Sequence, residues 1–318
     1  MPELFACDVL GVDSKHHRDL WTGGGTAVVD AIGALRAKVG RIVYFDTTDS
    51  TGYLAAALLP YVDRYYKAQL LRDRSEYLRP LYGHRLFTDW YHAHAGVADA
   101  EPEWSTPVED PALLERLRVS WNVGTASWSP SAPRLAELDR RLPTSLFVRP
   151  PRRFHDPRAS RPNDVSCRMN LSYRRQTVAY QREQVVRLLD AHVATDRLGR
   201  RAYFSEMRRS KVVISPFGWG EINLKDFETF LAGAALVKPD MAHLVTWPDV
   251  YRPDETIVTH RWDLTDVVEV IDELLGDDDR RNAIAAAGQG AYRDASTAPV
   301  AAERFASHLD ALLADAGA

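Results

Sequence analysis

One stretch of the sequence, residues 211–240, limits the fold of this chain more than any other. It reads KVVISPFGWGEINLKDFETFLAGAALVKPD. Two short apolar runs, Val212–Ile214 and Ala234–Val237, predict buried strands. Between them Asp226–Ala232 predicts a helix that ends at Gly233. A strand, a glycine-rich loop, a helix and a second strand in this order form a βαβ unit, so both strands belong to one parallel sheet.

The rest of the second half continues this alternation of strands and helices. Further strands are predicted at Val165–Met169 and Thr256–Val258. Helices are predicted at Thr177–Ala194, Tyr203–Ser210, Leu264–Leu275, Asp279–Tyr292 and, with a strongly amphipathic pattern, Val300–Ala314. Alternation at this spacing is typical of a parallel α/β sheet with right-handed crossovers. Ligands of such sheets bind beyond the carboxyl ends of the strands, so the loops that follow strands are where we expect functional residues.

The first half opens with a second βαβ pattern. An apolar run at Leu4–Leu10 predicts a strand, and a glycine-rich turn, Gly23-Gly24-Gly25, follows it. Ala27–Lys38 has helical spacing of its apolar residues, and Ile42–Phe45 predicts a compact strand that ends at Asp46. Two more strands are predicted at residues 117–121 and 145–148.

The chain length of 318 residues favours two domains. The best boundary is the segment 142–163, which contains five prolines and several arginines, a composition typical of a linker. We therefore expect an N-terminal Rossmann-like domain over residues 1–148, a C-terminal one over 149–298, and a final helix over 299–318. We expect this helix to pack back on the N-terminal domain.

Composition excludes several classes of protein. A net charge of -4 argues against a dedicated nucleic-acid binder. Cys7 and Cys167 are too few for a disulfide framework and too far apart for a zinc motif. The sequence has no apolar run of the length that spans a bilayer and no secretory signal pattern, so we expect a cytoplasmic protein. The arginines at 149–161 leave a peripheral membrane contact open.

The loop after Ile214 has features that suit an anionic ligand. Gly218 and Gly220 allow backbone amides to approach an anion closely. The N-terminus of the following helix favours a phosphate group. Glu228, inside the first turns of that helix, is placed to accept hydrogen bonds from a ribose diol.

These residues resemble a known donor-binding signature. The pattern Ser-Pro-x-Gly-x-Gly-Glu…Phe-Glu-x-x-x-Ala-Gly-x-x-x-Val is similar to that of the group-1-like glycosyltransferases, which have the two-domain GT-B fold and a Glu-x7-Glu motif. Glu228 matches the second glutamate, which binds the nucleotide ribose. Glu221 lies near the first, but the spacing here is Glu-x6-Glu. The resemblance implies a catalytic role for Glu221 and donor contacts from Ser215, Gly218, Trp219, Gly220 and Asn223.

The same resemblance implies a set of cations that hold the donor diphosphate. In such enzymes an arginine follows the first strand of the C-terminal domain, and a lysine lies about five residues later. Arg168 fits the first cation, Arg174 or Arg175 fits the second, and Lys225 is a third candidate. Guanidinium groups suit a diphosphate because they offer paired donors to two oxygens.

The first half supplies candidates for the acceptor side. Gly23-Gly24-Gly25 resembles the glycine loop that lies across the cleft from the donor in GT-B enzymes. Asp46 and Asp49 follow a predicted strand, and an inverting enzyme would need a base there. His92 and His94, expected on a strand or loop, have no obvious third metal ligand, and Asp277–Asp279 is expected to cap a helix. We therefore predict no metal and no bound cofactor.

The resemblance implies transfer of a sugar from a nucleoside diphosphate sugar to a small-molecule or glycan hydroxyl acceptor. Two alternatives remain at this stage. One is a UDP-sugar epimerase on the same fold, which would need acid and base residues in the cleft. The other is a non-catalytic subunit that binds nucleotide sugars. The sequence leaves the donor sugar, the base, the acceptor, the stereochemistry and the oligomeric state open.

Overall fold

A computed structural model of the chain describes residues 5–15, 26–125, 150–189, 193–297 and 299–317. The predicted glycine turn Gly23-Gly24-Gly25 and the predicted strand at 145–148 lie outside these ranges. So does the predicted boundary at residues 148/149. The division of the chain into domains therefore stays a prediction.

The first half forms a four-stranded parallel sheet. Its elements are β1 (Leu10–Asp13), α1 (Thr26–Arg36), β2 (Ile42–Asp46), β3 (Arg64–Lys67), β4 (Gln69–Leu71), α2 (Leu86–Ala95) and β5 (Leu117–Val119). The order in the sheet is β1-β2-β3-β5, and every neighbouring pair is parallel. Val28 and Ile32 of α1 are fully buried against Ile42 and Tyr44 of β2, because the apolar face of this helix covers the sheet.

The first strand differs from the sequence prediction. It begins at Leu10 rather than at Leu4 and pairs with β2 from Leu10 opposite Ile42 to Asp13 opposite Phe45. Leu10 and Val12 are buried and Gly11 and Asp13 are exposed. This alternation is the pattern of an edge strand with one covered face, which a search for a continuous apolar run misses.

The second half forms another parallel sheet. Its elements are β6 (Asn163–Ser166), α3 (Gln176–Leu189), α4 (Arg200–Arg209), β7 (Ser210–Ile214), α5 (Leu224–Ala232), β8 (Ala235–Pro239), β9 (Leu244–Thr246), β10 (Val258–His260), α6 (Val267–Gly276), α7 (Asp278–Ser296) and α8 (Val300–Gly317). The order in the sheet is β10-β8-β7-β6, again all parallel. The predicted fold class, α/β with two Rossmann-like halves, is confirmed.

The caps of α5 explain why this helix has such sharp ends. Asn223 and Asp226 form a capping box, in which each side chain accepts a hydrogen bond from the other's backbone amide. Gly233 ends the helix with a φ of 69°, in the left-handed region. A Cβ atom at Gly233 would lie 2.3 Å from the carbonyl oxygen of His155, so no other residue fits there without a backbone shift.

The two halves of the chain are in direct contact at strand β4 and at helix α8. Strand β4 pairs with β9 in an antiparallel ladder, so one strand of the first half bonds directly to one of the second. Helix α8 packs back on the first sheet, as predicted. The Tyr66 hydroxyl donates to the carbonyl of Leu312 at 2.5 Å, and Arg64 bonds to Asp315 at 2.6 Å. Among the described residues, no helix has both the length and the apolar character needed to cross a membrane.

Candidate functional site

A cavity of about 320 Å³ opens beyond the carboxyl ends of β6 and β7, where α/β sheets bind ligands. We call it the cationic pocket, because four basic side chains line it: Arg168, Arg182, Arg197 and Lys225. Ser215 and Asn223 also line it. Four of the predicted donor-binding residues, Arg168, Ser215, Asn223 and Lys225, are therefore brought together, although they are up to 57 residues apart in sequence.

Lys225 ties the two strand ends together at this pocket. Its ammonium group donates to the carbonyl oxygens of Arg168 and Ile214, both at 2.7 Å. Burial lowers the pKa of Lys225 to about 8. An anion in the pocket would favour the charged form, because an opposite charge at short range offsets the cost of burial.

Arg168 is already paired. Its guanidinium bonds to both carboxylate oxygens of Glu206, at 2.8–3.1 Å, and to Asp196 at 2.9 Å. The Glu206 carboxylate raises the pKa of Arg168 above its ordinary value. A diphosphate at Arg168 would have to share this guanidinium with two carboxylates, so the arginine adds less net positive charge than the sequence suggested.

The sequence pattern did not indicate Arg182 as a residue of this pocket. Its Nε donates to the carbonyl of Phe217 at 2.7 Å, its guanidinium also bonds to the carbonyl of Asn170, and it lies over the ring of Tyr173 at 4.9 Å. Burial lowers its pKa. An available signal was its place on α3: Arg182 comes four residues after Val178 and shares its buried face, where an arginine is unusual.

Glu228 lies beside the pocket rather than in its wall. It is half-buried, and the Tyr203 hydroxyl, which does line the pocket, donates to it at 3.1 Å. Burial raises the pKa of Glu228. Tyr203 therefore stands between the carboxylate and the cavity, and a ribose diol would replace or extend this hydrogen bond. The predicted ribose contact stays a prediction.

The loop between β7 and α5 is held by one buried carboxylate, Asp226. It accepts hydrogen bonds from the Ser215 hydroxyl at 2.5 Å, the Lys238 ammonium at 3.0 Å and the Tyr251 hydroxyl at 3.0 Å. The side chains of Asp226 and Lys238 have no exposed surface. Ser215 is therefore oriented by Asp226. Its hydroxyl already donates to that carboxylate, so in the predicted contact with a sugar nucleotide it would accept a hydrogen bond.

The two loop glycines have structural roles within the loop and in its packing. The amide of Gly218 donates to the carbonyl of Gly220 at 3.0 Å, so it is not directed at a ligand. A Cβ atom at Gly220 would lie 1.9 Å from the carbonyl oxygen of Asp49. Gly220 is needed because the backbone of the first half approaches the loop closely there. The Gly218 amide thus closes the loop and Gly220 allows close packing of the halves, while an anion contact from the Gly220 amide stays a prediction.

Glu221 lies in this contact and lines neither the cationic pocket nor the cavity described next. It is fully buried and accepts a hydrogen bond from the amide of Thr51 at 3.1 Å, and His243 lies 3.7 Å away. Burial alone would raise the pKa of Glu221, but His243 and Thr51 hold it below the ordinary value. The carboxylate links the halves, and its predicted catalytic role has no direct support in this arrangement.

A second cavity, of about 760 Å³, lies at the carboxyl ends of β1 and β2. We call it the Asp46 cavity. Hydroxyl and carboxylate groups dominate the wall from the first half, including Ser14, Thr47, Thr48, Asp46 and Asp49. Trp219 of the second half forms part of the opposite wall and is 42% exposed. The Arg85 guanidinium supports this indole at 5.3 Å from the ring.

Asp46, predicted as a catalytic base, is a buried ion-pair partner. It accepts hydrogen bonds from the Lys67 ammonium at 3.0 Å, the Tyr65 hydroxyl at 2.8 Å and the Thr48 amide at 2.8 Å. These three donors already occupy the carboxylate, so Asp46 is held as a structural partner of Lys67 rather than left open to an acceptor hydroxyl. Asp49 is exposed in the same cavity and is the more accessible of the two carboxylates.

Arg174 does not reach either cavity. Its guanidinium is exposed and pairs with Glu101 on the surface. Its neighbour Arg175, the alternative second cation, lines the Asp46 cavity and pairs with Glu103 and Asp99. The prediction that either arginine joins Arg168 at a diphosphate is therefore corrected, because the start of α3 directs both of them toward the first half.

The residues considered as metal ligands lie on helices or at a helix end. His92 and His94 lie on α2, not on the strand or loop predicted, and stack on Tyr82 and Trp90. Asp277 caps α7 through a hydrogen bond from the Arg280 amide, as predicted. No group of three or more candidate metal-binding side chains occurs in the described ranges.

Comparisons with known proteins agree with the resemblance. Residues 158–307, just under half of the chain, match a family model described as glycosyl transferase-like. No curated protein matches the chain in sequence.

Two solved structures are similar at low identity. One is a UDP-forming α,α-trehalose-phosphate synthase from Burkholderia xenovorans, with 11% identity, 99% of this chain and 74% of that chain covered, and a TM-score of 0.46. The other is Anabaena HepE in complex with UDP, with 12% identity, 97% and 80% covered, and a TM-score of 0.46. Likenesses this distant do not bear on the activity of this chain. Residues 158–307 are therefore similar to a glycosyl transferase-like family, and the two parallel α/β sheets show the fold class of the chain.

Proposed function

We propose that this enzyme transfers a sugar from a nucleoside diphosphate sugar to a hydroxyl acceptor, without a metal ion or cofactor, in the cytoplasm. The donor diphosphate binds in the cationic pocket. The acceptor binds in the Asp46 cavity, which the loop between β7 and α5 separates from the pocket. Epimerisation of the donor is the alternative that product analysis distinguishes.

The observation that carries this proposal is the convergence of four cations at one edge of a parallel sheet. Two of them, Arg182 and Lys225, have inward-facing charges that no described carboxylate neutralises by direct ion pairing. Buried cations of this kind are costly unless an anion completes the site. A diphosphate supplies charge of the required sign and several acceptor oxygens.

The chemistry follows from where charge develops. As the bond between sugar and phosphate breaks, negative charge grows on the leaving diphosphate. Preorganised cations stabilise that charge more in the transition state than in the ground state, and this difference accelerates the reaction. Lys225 and Arg182 are held by backbone carbonyls, so they need no reorganisation.

A first prediction tests the donor assignment. Arg197 is exposed and lines the cationic pocket. We expect Arg197→Ala and Glu228→Ala each to weaken nucleoside diphosphate binding about tenfold, the loss typical of a hydrogen bond to a charged group. The measurement is calorimetric titration with UDP, GDP, ADP and TDP in the presence of EDTA. Arg187→Ala on α3, also an exposed arginine, is the matched control.

Unchanged affinity in both variants would remove the donor from this pocket. Transfer to a sugar acceptor, followed by mass spectrometry of the products, tests the reaction itself. An epimerised donor with no new glycoside would support the alternative.

A second prediction concerns pH. The pKa of Lys225 is about 8, below its ordinary value, so above pH 8 the free enzyme loses this proton. A bound diphosphate favours the charged lysine and raises its pKa, so binding above pH 8 takes up a proton. Affinity should fall up to tenfold per pH unit between pH 8 and the pKa of the bound state. Titrations in two buffers of different ionisation enthalpy measure the proton uptake, and Lys225→Met should bind more weakly with a flat profile.

A further inference from the structure

A third cavity, of about 400 Å³, lies between α2, α3 and the loop that follows β10. Its main wall residues are Trp90, Tyr180, Gln184, Trp262, Asp263 and Thr265, and we call it the aromatic pocket. It shares no wall residue with the cationic pocket or the Asp46 cavity. Its volume lies within the range of small-ligand sites.

The aromatic rings of this pocket are fixed in place before any ligand binds. The Trp262 indole donates to the carbonyl of Asp240 at 2.8 Å, and the Tyr91 hydroxyl donates to the carbonyl of Trp262 at 2.8 Å. Trp90 meets Trp262 edge to face, with ring centres 6.0 Å apart. Trp90, Tyr180 and Trp262 are nevertheless only half-buried. Rings held this way lose little conformational freedom on binding.

Hydrogen-bonding groups stand beside these rings. Asp263 is held by Arg261 and by the Thr265 hydroxyl, at 2.7 Å, and both Asp263 and Thr265 are exposed. The Gln184 amide makes no hydrogen bond to any other described residue. An amide, a carboxylate and a hydroxyl together supply donors and acceptors for a ligand with several hydroxyl groups.

The groups that line the pocket argue against two classes of ligand, anions and wholly apolar molecules. No lysine or arginine of the described chain lines it, and the His94 imidazole in its wall stacks on Trp90, so a phosphate or carboxylate would meet the Asp263 carboxylate with no permanent cation in the wall to offset it. A wholly apolar ligand would cover the Asp263 carboxylate and the Gln184 amide without bonding to them, which is costly. The pocket suits a ligand with an apolar face and a polar edge.

The backbone of the pocket is also unusual. Leu264 is buried, lines the pocket and has a φ of 63°, in the left-handed region. A bulky residue is rarely found there, and such strain occurs most often at binding sites and clamps. Trp262 is half-buried, Asp263 and Thr265 are exposed, and all three line the pocket, so the ring and the polar groups lie side by side in its wall.

We propose that the aromatic pocket binds a neutral saccharide unit, at a site separate from the site of sugar transfer. The C–H face of a pyranose packs on Tyr180 and on the face of Trp90 opposite the stacked His94, and its hydroxyl groups bond to Gln184 and Asp263. Such a site would hold a distant unit of a glycan while another unit is at the Asp46 cavity. This binding does not depend on the identity of the donor.

The test is saturation-transfer NMR of the full chain with maltotriose, cellotriose and mannotriose. We expect saturable binding of at least one of them, and Gln184→Ala and Tyr180→Ala should each weaken it about tenfold. Trp104→Ala, an exposed tryptophan elsewhere, is the aromatic control that should leave it unchanged, and Trp219→Ala reports any binding in the Asp46 cavity. Circular dichroism confirms that each variant is folded.

Three results would overturn the proposal. One is the absence of saturable binding of all three trisaccharides. Another is binding that Trp219→Ala abolishes and Gln184→Ala leaves unchanged, which would place the sugar in the Asp46 cavity alone. The third is displacement of the trisaccharide by octanol together with unchanged trisaccharide affinity in Gln184→Ala. That result would show that the pocket is a hydrophobic site. Nucleoside diphosphate affinity should be unchanged in Gln184→Ala, so failure here is distinguishable from failure of the donor assignment.

Discussion

Asp226→Ala is expected to lower the free energy of unfolding by about 3–5 kcal/mol, because it leaves a buried lysine without its partner. Asp226 and Lys238 have no exposed side-chain surface and lie 3.0 Å apart. Burial already lowers the pKa of Lys238, and among the described residues Asp226 alone counters this by a direct ion pair. The same substitution also removes the hydrogen bonds that Asp226 accepts from Ser215, Tyr251 and the amide of Asn223.

Urea unfolding followed by circular dichroism measures this effect. In the variant, Lys238 should lose its proton on folding, so the destabilisation should decrease as the pH rises toward 10. The double variant Asp226→Ala with Lys238→Met is the matched control, because it removes both charges and should recover part of the loss. A decrease below about 1 kcal/mol in the single variant would show that Lys238 finds another partner.

The strands of the second sheet could largely be predicted from the sequence, and so could the loop between β7 and α5, whereas in the first sheet only β2 and β5 lie near their predicted places. Apolar runs such as Val212–Ile214 and Ile42–Phe45 are local signals, and their strands form where expected. The helix after the loop has a local signal too, since Asn223 and Asp226 are three residues apart and form the capping box. Local chemistry therefore fixes these elements and their ends.

The partners of the candidate site residues could not be predicted in this way. Asp46 follows a clear strand, but its cation, Lys67, ends β3, which has no simple alternating pattern. Only the pairing of β2 with β3 places the two side by side. Arg168 has its carboxylate partner on α4, 38 residues away. Whether a charged residue is available to a ligand depends on such distant partners, and spacing along the chain does not report them.

The same limit applies to Glu221. Its spacing to Glu228 is one residue shorter than the family pattern, and the structure shows its carboxylate bonded to Thr51 of the first half. The residue type at this position is typical of a donor contact, while the packing is that of a link between the halves. From the sequence alone Glu221 could contact a sugar nucleotide or link the two halves. Its contact with Thr51 favours the link.

Gly220→Ala should have a second large effect, on the joint between the two halves. A Cβ atom at Gly220 would lie 1.9 Å from the carbonyl oxygen of Asp49 and 2.7 Å from its carbonyl carbon. Backbone atoms cannot move aside as a flexible side chain can, so the loop at residues 218–221 must separate from residues 49–51. We expect a destabilisation of about 1–3 kcal/mol or more, as in overpacked cores. The hydrogen bond between Thr51 and Glu221 should be lost as well.

The expected consequence for function is larger than the loss of stability, because the loop separates the two proposed substrate sites. A shift of about 1 Å at reacting groups is enough to cost about a hundredfold in rate, so we expect kcat to fall at least that much at temperatures where the variant remains folded. Gly290→Ala is the control: this glycine lies in α7 with nothing within 4 Å of the added Cβ atom, and the change should stabilise the helix by about 0.5–1 kcal/mol. If Gly220→Ala keeps full activity and stability, the close approach of the halves is not required for catalysis, and Glu221 becomes free to act on the donor as the family pattern implies.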